Sequence, residues 1–296
     1  MGIVGLNGVC IEEDKAVVSV FDHGLLYGLG LFETFRTYNG VPFLLSRHLE
    51  RLAEGCLQLG IRYQPEEGQV KLHVRELLEA NGLADGYVRF SVSAGSQPLG
   101  LPVSAYTEPN IIVYIKPLPL NSLPVSKPLQ LLKTRRNTPE GLVRLKSFHY
   151  MNNVLGRREM SAYSWAGGAE GLFMNGEGFV AEGIVSNLFF AANGSLFTPS
   201  LDTGILPGIT RGHVLSLAKK AGMSVREGKY HLEELLNADE IFMTNSIQEI
   251  VPVHSIYDEH GAQVWTSRAS ALTDQIYHAY KCSITDYVQQ QEEEAP

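Results

Sequence analysis

Three of the asparagine–glycine pairs in the chain interrupt longer runs of apolar and β-branched residues. They stand at Asn39-Gly40 in FETFRTYNGVPFLL, at Asn175-Gly176 in GLFMNGEGFVAEG and at Asn193-Gly194 in LFFAANGSLFTPS. An Asn-Gly pair tolerates the positive φ angles that a two-residue hairpin turn requires. Each stretch therefore predicts a β-hairpin.

Apolar positions with helical spacing predict several helices. In SRHLERLAEGCLQLG, Ser46 can cap a helix that Gly60 ends. The pattern predicts further helices over about 67–80 and 149–163, and in GITRGHVLSLAKKAG. Strands are indicated by CIEEDKAVVSV, YVRFSVSAG, NIIVYIKPL, LQLLKTRR and IFMTNSIQEIVPV, the last with an irregular middle.

Four prolines in residues 117–128, PLPLNSLPVSKP, predict an extended connector, because proline removes backbone donors and fixes φ. We therefore expect an α/β protein with a small N-terminal domain over 1–117, a linker over 118–128 and a larger domain over 129–296. The acidic end, VQQQEEEAP, should be frayed.

The composition fits a two-domain globular protein: 296 residues, 44% hydrophobic and 19% charged. A net charge of -8 argues against nucleic acid or an anionic membrane as the main partner. The three cysteines, Cys10, Cys56 and Cys282, are widely spaced and form no CxxC pair, and no HExxH helix is present. We therefore expect no metal and reduced thiols in a cytoplasmic protein. No signal peptide and no stretch of membrane-spanning length is visible.

One helix start has the features of an anion site. In LDTGILPGITRGHVLSL a loop runs into a helix that begins at Ile209 and Thr210. Unpaired N–H groups and the helix dipole favour a phosphate there, and the Thr210 hydroxyl can contribute. A capped helix after a turn is the alternative.

Four other features are ambiguous when taken alone. Lys146 in GLVRLKSFHYMNN is either a surface charge or a reactive amine. Glu182 in EGIVSN is either a buried carboxylate that needs a partner or a solvated turn residue. Arg51 lies off the apolar stripe of its helix, which favours exposure. TNSIQE, residues 244–249, either lines a site or satisfies the backbone at a strand end.

Together these features match the needs of one cofactor. Pyridoxal phosphate requires a lysine for its Schiff base, a cradle for its phosphate and an acid beside its pyridine nitrogen. Lys146, the helix start at Ile209 and Glu182 supply those three functions.

Six ordered motifs over nearly the whole chain resemble the class IV (fold type IV) pyridoxal-phosphate enzymes. They are DHGLLYGLGLFETFR, HLERL, RRNTPEGLVRLKSFHYMNN, EGIVSN, TPSLDTGILPGITR and MTNSIQEIVPV. The family includes branched-chain and D-amino-acid aminotransferases and aminodeoxychorismate lyases, and the sequence is most similar to the bacillus-type lyases. The resemblance implies two α/β domains with the cofactor between them, and a homodimer.

The resemblance also assigns roles to single residues. Lys146 matches the Schiff-base lysine and proton shuttle, and Glu182 matches the partner of the pyridine nitrogen. The remaining cofactor contacts that it implies are Arg51, Ile209, Thr210 and Ser246 at the phosphate, Tyr150 at the phenolic oxygen, and Asn187 near the cofactor.

The substrate side decides between reactions. D-amino-acid enzymes carry an arginine and a histidine where this chain has Leu99 and Leu101. Branched-chain enzymes carry glycine at the positions of Thr34 and Asn245, whereas the lyases resemble this chain at both. Tyr27 and Arg89 are further candidates for substrate contact.

The implied reaction converts 4-amino-4-deoxychorismate to 4-aminobenzoate and pyruvate, a step toward folate, with Thr34 assisting Lys146. A branched-chain or D-amino-acid aminotransferase is the alternative, since it would use the same cofactor residues. A non-enzymatic protein that kept the fold is a third hypothesis, which the presence of Lys146 and Glu182 disfavours.

Overall fold

The computed structural model describes residues 2–118 and 125–293. The chain divides into two compact units. The first comprises Met1–Leu120, Leu145–His149 and Ile284–Pro296, and the second Asn121–Arg144 and Tyr150–Ser283. Part of the predicted linker, residues 119–124, lies outside the described residues, and the boundary at 118–128 stays a prediction.

A six-stranded antiparallel sheet forms the centre of the first unit, in the order β2-β1-β6-β5-β3-β4. Its elements are β1 (Ile3–Leu6), β2 (Val9–Glu12), α1 (His23–Tyr27), β3 (Gly30–Tyr38), β4 (Val41–Pro42), α2 (Leu45–Gln58), α3 (Glu67–Ala80), β5 (Gly86–Ser93) and β6 (Asn110–Pro117). Side chains of the sheet and of α2 and α3 make one core, including Phe35, Leu52 and Leu77, which are fully or almost fully buried.

A nine-stranded mixed sheet forms the second unit, in the order β12-β11-β10-β13-β14-β7-β8-β9, with β15 also paired to β14. Its elements are β7 (Lys127–Leu131), α4 (Met151–Met160), β8 (Glu170–Met174), β9 (Val180–Gly183), β10 (Asn187–Ala192), β11 (Ser195–Pro199), α5 (Ile209–Lys220), β12 (Val225–Gly228), α6 (Leu232–Leu236), β13 (Glu240–Asn245), β14 (Glu249–Tyr257) and β15 (Gln263–Thr266). The last helix, α7 (Ala271–Glu293), continues from residues of this unit into residues of the first. The acidic end, expected to be frayed, is therefore helical as far as Glu293.

Several predicted elements are confirmed. The helix expected over 67–80 is α3, and the one in GITRGHVLSLAKKAG is α5. Two predicted hairpin turns have the expected backbone, with positive φ at Asn39 and Gly40 and at Asn193 and Gly194.

One predicted helix cap and one predicted hairpin turn differ from the structure. Ser46 does not cap α2, because the N-cap is Leu44 in the left-handed conformation, one residue before the helix begins. The hairpin of β8 and β9 turns through a longer loop than Asn175-Gly176. The Asn175 side chain accepts two backbone N–H groups in that loop, and Gly178 takes the positive φ.

The predicted strand IFMTNSIQEIVPV is a hairpin, with β13 and β14 joined by the turn at residues 246–248. The Asn245 carboxamide oxygen accepts from the backbone N–H groups of Ile247 (3.0 Å) and Gln248 (2.7 Å). This side chain replaces the backbone acceptors that a continuing strand would need, which ends β13. No helix among residues 2–118 and 125–293 is long and apolar enough to cross a membrane.

Candidate active site

A buried ion pair joins β3 to α2 in the first unit. Alternation along β3 turns Glu33 toward α2, where it is 1% exposed. Arg51 donates to both of its carboxylate oxygens, from Nε to Oε1 at 2.8 Å and from Nη2 to Oε2 at 2.6 Å. His48 Nδ1 lies 2.6 Å from Oε2. Arg51 is therefore held in a fixed orientation and is only partly exposed.

The three groups set one another's protonation. Burial alone would raise the pKa of Glu33, but the charge of Arg51 and the hydrogen bond from His48 lower it to about 2. Burial lowers the pKa of His48 despite Glu33, and the charges of Arg51 and Lys146 act in the same direction as burial. At neutral pH the pair is therefore Glu33 carboxylate with Arg51, and His48 contributes a neutral hydrogen bond.

Lys146 is positioned by β3. Its carbonyl accepts from the Phe32 N–H at 2.9 Å, and Phe148 N–H donates to the Gly30 carbonyl at 2.9 Å. A Cβ at Gly30 would approach the Phe148 ring closer than 3.0 Å, so glycine is required for this segment to lie against the strand. The Lys146 Nζ lies 4.7 Å from the centroid of the Phe32 ring.

Arg89, one of the predicted substrate contacts, lies near this lysine. It is the register partner of Thr34 in the pairing of β3 with β5, and its guanidinium carbon is 3.6 Å from the centroid of the Phe32 ring. The buried Phe32 ring thus contacts both cations through its π system. The structure brings together Lys146, Arg89 and Phe32, and sequence reasoning missed Phe32.

Tyr27 ends α1 and is 38% exposed. Its hydroxyl accepts from the Gly100 N–H at 2.9 Å, which ties it to the loop after β5. Leu99 and Leu101 of that loop are 71% and 82% exposed. Both therefore present apolar side chains to solvent.

Glu182 is the buried carboxylate of the second unit. It lies in β9 and is 4% exposed, which excludes the solvated-turn alternative. Arg136 Nε donates to Oε1 at 2.8 Å, while Asn187 Nδ2 (3.1 Å) and the Leu206 N–H (3.0 Å) donate to Oε2. These three donors, one of them a cation, compensate the carboxylate for its burial.

Two arginines near Glu182 were not identified from the sequence. Arg136 also donates to the side-chain oxygens of Asn152 (2.7 Å) and Asn153 (3.2 Å), and it is 7% exposed. Arg144 Nε lies 3.9 Å from Glu182 and donates to the Gly204 carbonyl at 2.6 Å. Burial and the neighbouring Arg136 lower the pKa of Arg144 to about 10. Both belong to the motif RRNTPEGLVRLKS, which was the available signal.

Asn187 connects Glu182 to the start of α5. Its amide also donates to the Leu206 carbonyl at 2.9 Å. Gly208, the N-cap of α5, has no capping side chain, and a Cβ there would approach the Asn187 carboxamide oxygen closer than 3.0 Å. Glycine at this N-cap is therefore required for the asparagine to reach the carboxylate.

Hydroxyl groups lie at the same helix start. Thr210 Oγ1 is 3.3 Å from Ser246 Oγ, which joins α5 to the turn after β13. Ile209 is the first residue of α5, as predicted. Tyr150 precedes α4 as its N-cap and is 36% exposed.

The fold and these motifs define the class of the protein. The family model described as amino-transferase class IV matches residues 30–256, and the chain belongs to that family. The resemblance to class IV enzymes and the predicted two-domain α/β fold are thereby confirmed.

Individual relatives cover almost the whole chain. The sequence is 41% identical over 288 residues to the aminodeoxychorismate lyase of Bacillus subtilis (strain 168), which covers 97% of this chain and 96% of the relative. The structure resembles 4-amino-4-deoxychorismate lyase from Pseudomonas aeruginosa, with 31% identity, a TM-score of 0.78, and coverage of 92% of this chain and 97% of that one. It also resembles the T.th. branched-chain amino acid aminotransferase complexed with N-(5'-phosphopyridoxyl)-L-glutamate, with 26% identity, a TM-score of 0.80, and coverage of 96% and 94%.

Proposed function

We propose that the protein is a pyridoxal-phosphate-dependent lyase that converts 4-amino-4-deoxychorismate to 4-aminobenzoate and pyruvate. The observation that carries the proposal is the 41% identity, over 97% of the chain, to an aminodeoxychorismate lyase. The side-chain geometry around Lys146 and Glu182 supports a cofactor of this kind.

The start of α5 fits a phosphate group. Gly208 offers no competing side-chain cap, so the first N–H groups, beginning at Ile209, and the helix dipole favour an anion. Thr210 and Ser246 add hydroxyl donors 3.3 Å apart. We assign Arg51 to the same phosphate on the family resemblance, and its two bonds to Glu33 fix the orientation of the guanidinium.

Glu182 fits a protonated pyridine nitrogen. A carboxylate offers about four acceptor positions, and Arg136, Asn187 and Leu206 use three of them. The remaining position can accept from the ring N–H, and a carboxylate beside that nitrogen keeps the proton on the ring. Tyr150 completes the proposed contacts of the cofactor.

Lys146 is the proposed general base. Pyridoxal phosphate supplies an electron sink for the pair that remains when the substrate C–H bond breaks. Lys146 Nζ takes that proton from the amine-bearing carbon. The C–O bond to the enolpyruvyl group then breaks, and its electron pair leaves with the oxygen. The carbocyclic ring of the substrate thereby becomes aromatic. The departing group becomes pyruvate after it accepts a proton.

The substrate side is assigned to groups on β3 and β5 and at the end of α1. Thr34 is the proposed hydrogen-bond donor to the departing oxygen, and Arg89, its register partner, is a candidate for a substrate carboxylate. Tyr27, at the end of α1, is a further proposed contact of the substrate. Asn245 contributes by shaping its turn, because its carboxamide oxygen already accepts two backbone N–H groups.

The decisive experiment supplies aminodeoxychorismate, generated in situ, and follows 4-aminobenzoate and pyruvate without any added keto acid. The proposal expects both products in equal amounts. If no product forms under these conditions, while an amino-acid and keto-acid pair is turned over, the lyase assignment is wrong.

A matched pair of lysine variants tests the role of Lys146. Lys116 lies on the same unit and also places its Nζ over an aromatic ring, 4.4 Å from the Tyr87 centroid. Lys146→Ala should abolish turnover and borohydride fixation of the cofactor, whereas Lys116→Ala should retain both. Equal activity in the two variants would refute the assignment.

An aminotransferase is the second candidate. The resemblance to the branched-chain aminotransferase complex, with a TM-score of 0.80, favours it. Among aminotransferases, a D-amino-acid enzyme is less well supported, because the loop with Leu99 and Leu101 carries no charged side chain from 96 to 104.

The proposal includes a cytoplasmic homodimer. Exposed apolar side chains on the first unit support self-association, among them Phe21, Leu25, Leu99, Leu101 and Val103. Sedimentation equilibrium of the purified protein should give twice the chain mass of 32.6 kDa. A monomer at micromolar concentration would refute this part of the proposal.

A further inference from the structure

Three side chains with different ligand chemistry meet at one edge of the first unit. Cys10 lies on β2, directly across the strand pair from Gly5 on β1. His73 and Glu76 lie three residues apart on α3, so both project from one face of the helix. One thiol sulfur, one imidazole nitrogen and one carboxylate oxygen all lie within 4.8 Å of one another.

The spacing of these atoms approaches that of ligands on one ion. With the bond lengths typical of zinc, tetrahedral geometry separates a nitrogen and an oxygen ligand by about 3.4 Å, and a nitrogen and a sulfur ligand by about 3.6 Å. His73 Nδ1 and Glu76 Oε2 are 3.4 Å apart, which is long for a hydrogen bond. The remaining separations can close by rotation of the Cys10 and Glu76 side chains, since both residues are exposed.

Gly5 creates the space for the imidazole. A Cβ at this position would approach His73 Nε2 closer than 3.0 Å, so any other residue would displace the ring. His73 Nε2 is buried and has no hydrogen-bond partner within the part of the chain that the structure describes. The ring is therefore positioned by packing against β1, with Nδ1 facing the Glu76 carboxylate.

We propose that Cys10, His73 and Glu76 form a zinc-binding site. One sulfur, one nitrogen and one oxygen ligand suit a borderline ion such as Zn²⁺, and three protein ligands leave the fourth position to water. The ion would tie the edge strand β2 to α3. An ion that binds the sulfur displaces the thiol proton of Cys10.

The zinc site is separate from the proposed catalytic lysine. Sheet order places β2 four strands from β3, which positions Lys146. Four strand spacings correspond to roughly 19 Å. The proposal is therefore independent of the lyase assignment, and its test does not measure turnover.

Cobalt(II) is the probe, because a thiolate ligand gives a sulfur-to-cobalt charge-transfer band and tetrahedral sites give intense visible d–d bands. The holoenzyme is titrated with Co²⁺, and the bands are read as a difference spectrum against the untreated holoenzyme. The expected result is saturation at one equivalent per chain and loss of the bands when one equivalent of Zn²⁺ is added.

Cysteine variants separate this site from the other thiols. Cys282 is exposed and lies 3.8 Å from His278 Nε2, so it is the competing binding position. Cys56 is buried, and burial raises its pKa to about 12. Cys10→Ser and His73→Gln should each weaken binding at least roughly 100-fold, whereas Cys282→Ser should leave the titration unchanged.

Thermal unfolding provides a second readout. Zn²⁺ should raise the Tm of the holoenzyme and of Cys282→Ser, because an ion that binds the folded state stabilises it. The rise should be absent in Cys10→Ser. Bands that persist in Cys10→Ser, bands that vanish in Cys282→Ser, or a wild-type protein that takes up no cobalt would each overturn the proposal.

Discussion

Replacing Glu33 with glutamine tests whether its buried ion pair with Arg51 stabilises the first unit. Glutamine keeps the size of the side chain and can still accept the hydrogen bond from His48. It removes the negative charge that faces Arg51, so the guanidinium stays partly buried without that counter-ion. We expect the region around β3 and α2 to open more readily.

The expected loss of stability in Glu33→Gln follows from the pKa of Glu33. Its folded-state pKa is about 2 against an ordinary value of 4.5, a difference of about 2.5. At about 1.4 kcal/mol per unit, the charged form stabilises the folded state by about 3 kcal/mol near neutral pH. Removal of one partner from a buried ion pair costs about 3–5 kcal/mol, which agrees with this value.

The pH dependence has a definite sign. The pKa of Glu33 is lowered on folding, so its stabilising contribution is complete above about 4.5 and is lost as the pH falls toward 2. The stability difference between wild type and Glu33→Gln should therefore be constant from about pH 7 to about pH 5. By about pH 3.5 it should have shrunk by roughly 1.4 kcal/mol.

Hydrogen exchange with mass spectrometry is the appropriate assay, because Trp165 and Trp265 both lie in the second unit and do not report on the first. Peptides from β3 and α2 should exchange roughly 100-fold faster in Glu33→Gln, while peptides from β13 and β14 should be unchanged. Glu79→Gln, on the exposed face of α3, is the matched control. Unchanged protection of β3, or a difference that grows toward acid pH, would refute the reasoning.

Three further substitutions test the proposed site. Gly208→Ala should lower the affinity for pyridoxal phosphate at least roughly tenfold, because a Cβ there displaces Asn187. Gly212→Ala, on the same helix, places its Cβ in open space and should bind the cofactor normally. Both affinities are measured by cofactor titration. Thr34→Ala should lower lyase turnover more than cofactor affinity, and equal loss of both would contradict its role. Arg136→Met should destabilise the second unit by about 3 kcal/mol in urea unfolding read by tryptophan fluorescence, since it removes the closer charge partner of the buried Glu182 and leaves Arg144 at 3.9 Å.

Local sequence was sufficient where the physical cause is local. The helix over 67–80 is set by its apolar spacing, by Glu66, whose carboxylate accepts from Gly68 and Gln69, and by the break at Asn81-Gly82. Where a side chain substitutes for backbone partners, the pattern left two alternatives open. The irregular middle predicted in IFMTNSIQEIVPV is a turn, because the carboxamide of Asn245 accepts two of its N–H groups and ends β13, which is the strand-end alternative stated for TNSIQE.

Pairings over long sequence separations were not predictable in this way. The helical position of Arg51 favoured exposure, yet its partner Glu33 comes from a strand 18 residues earlier. Arg136 and Glu182 are 46 residues apart, and the sequence around Glu182 was equally compatible with a solvated turn. The cofactor's chemical needs suggested a role for Glu182, and only the family resemblance gave one to Arg51. Neither named the carboxylate that fixes Arg51 or the arginine that fixes Glu182.

The motif RRNTPEGLVRLKS carries both the arginines that pair with Glu182 and the proposed catalytic lysine. Two of its three arginines, Arg136 and Arg144, pair with groups of the second unit, including Glu182. Two residues after Arg144 the chain reaches Lys146, which hydrogen-bonds to β3 of the first unit. A substitution in this motif can therefore change the site in two ways. It can remove a positive charge that faces the Glu182 carboxylate, or it can displace Lys146 from β3. Variants of Arg144 and Lys146 are distinguished by their readouts. The first should change the stability of the second unit, whereas the second should abolish turnover and borohydride fixation without that change in stability.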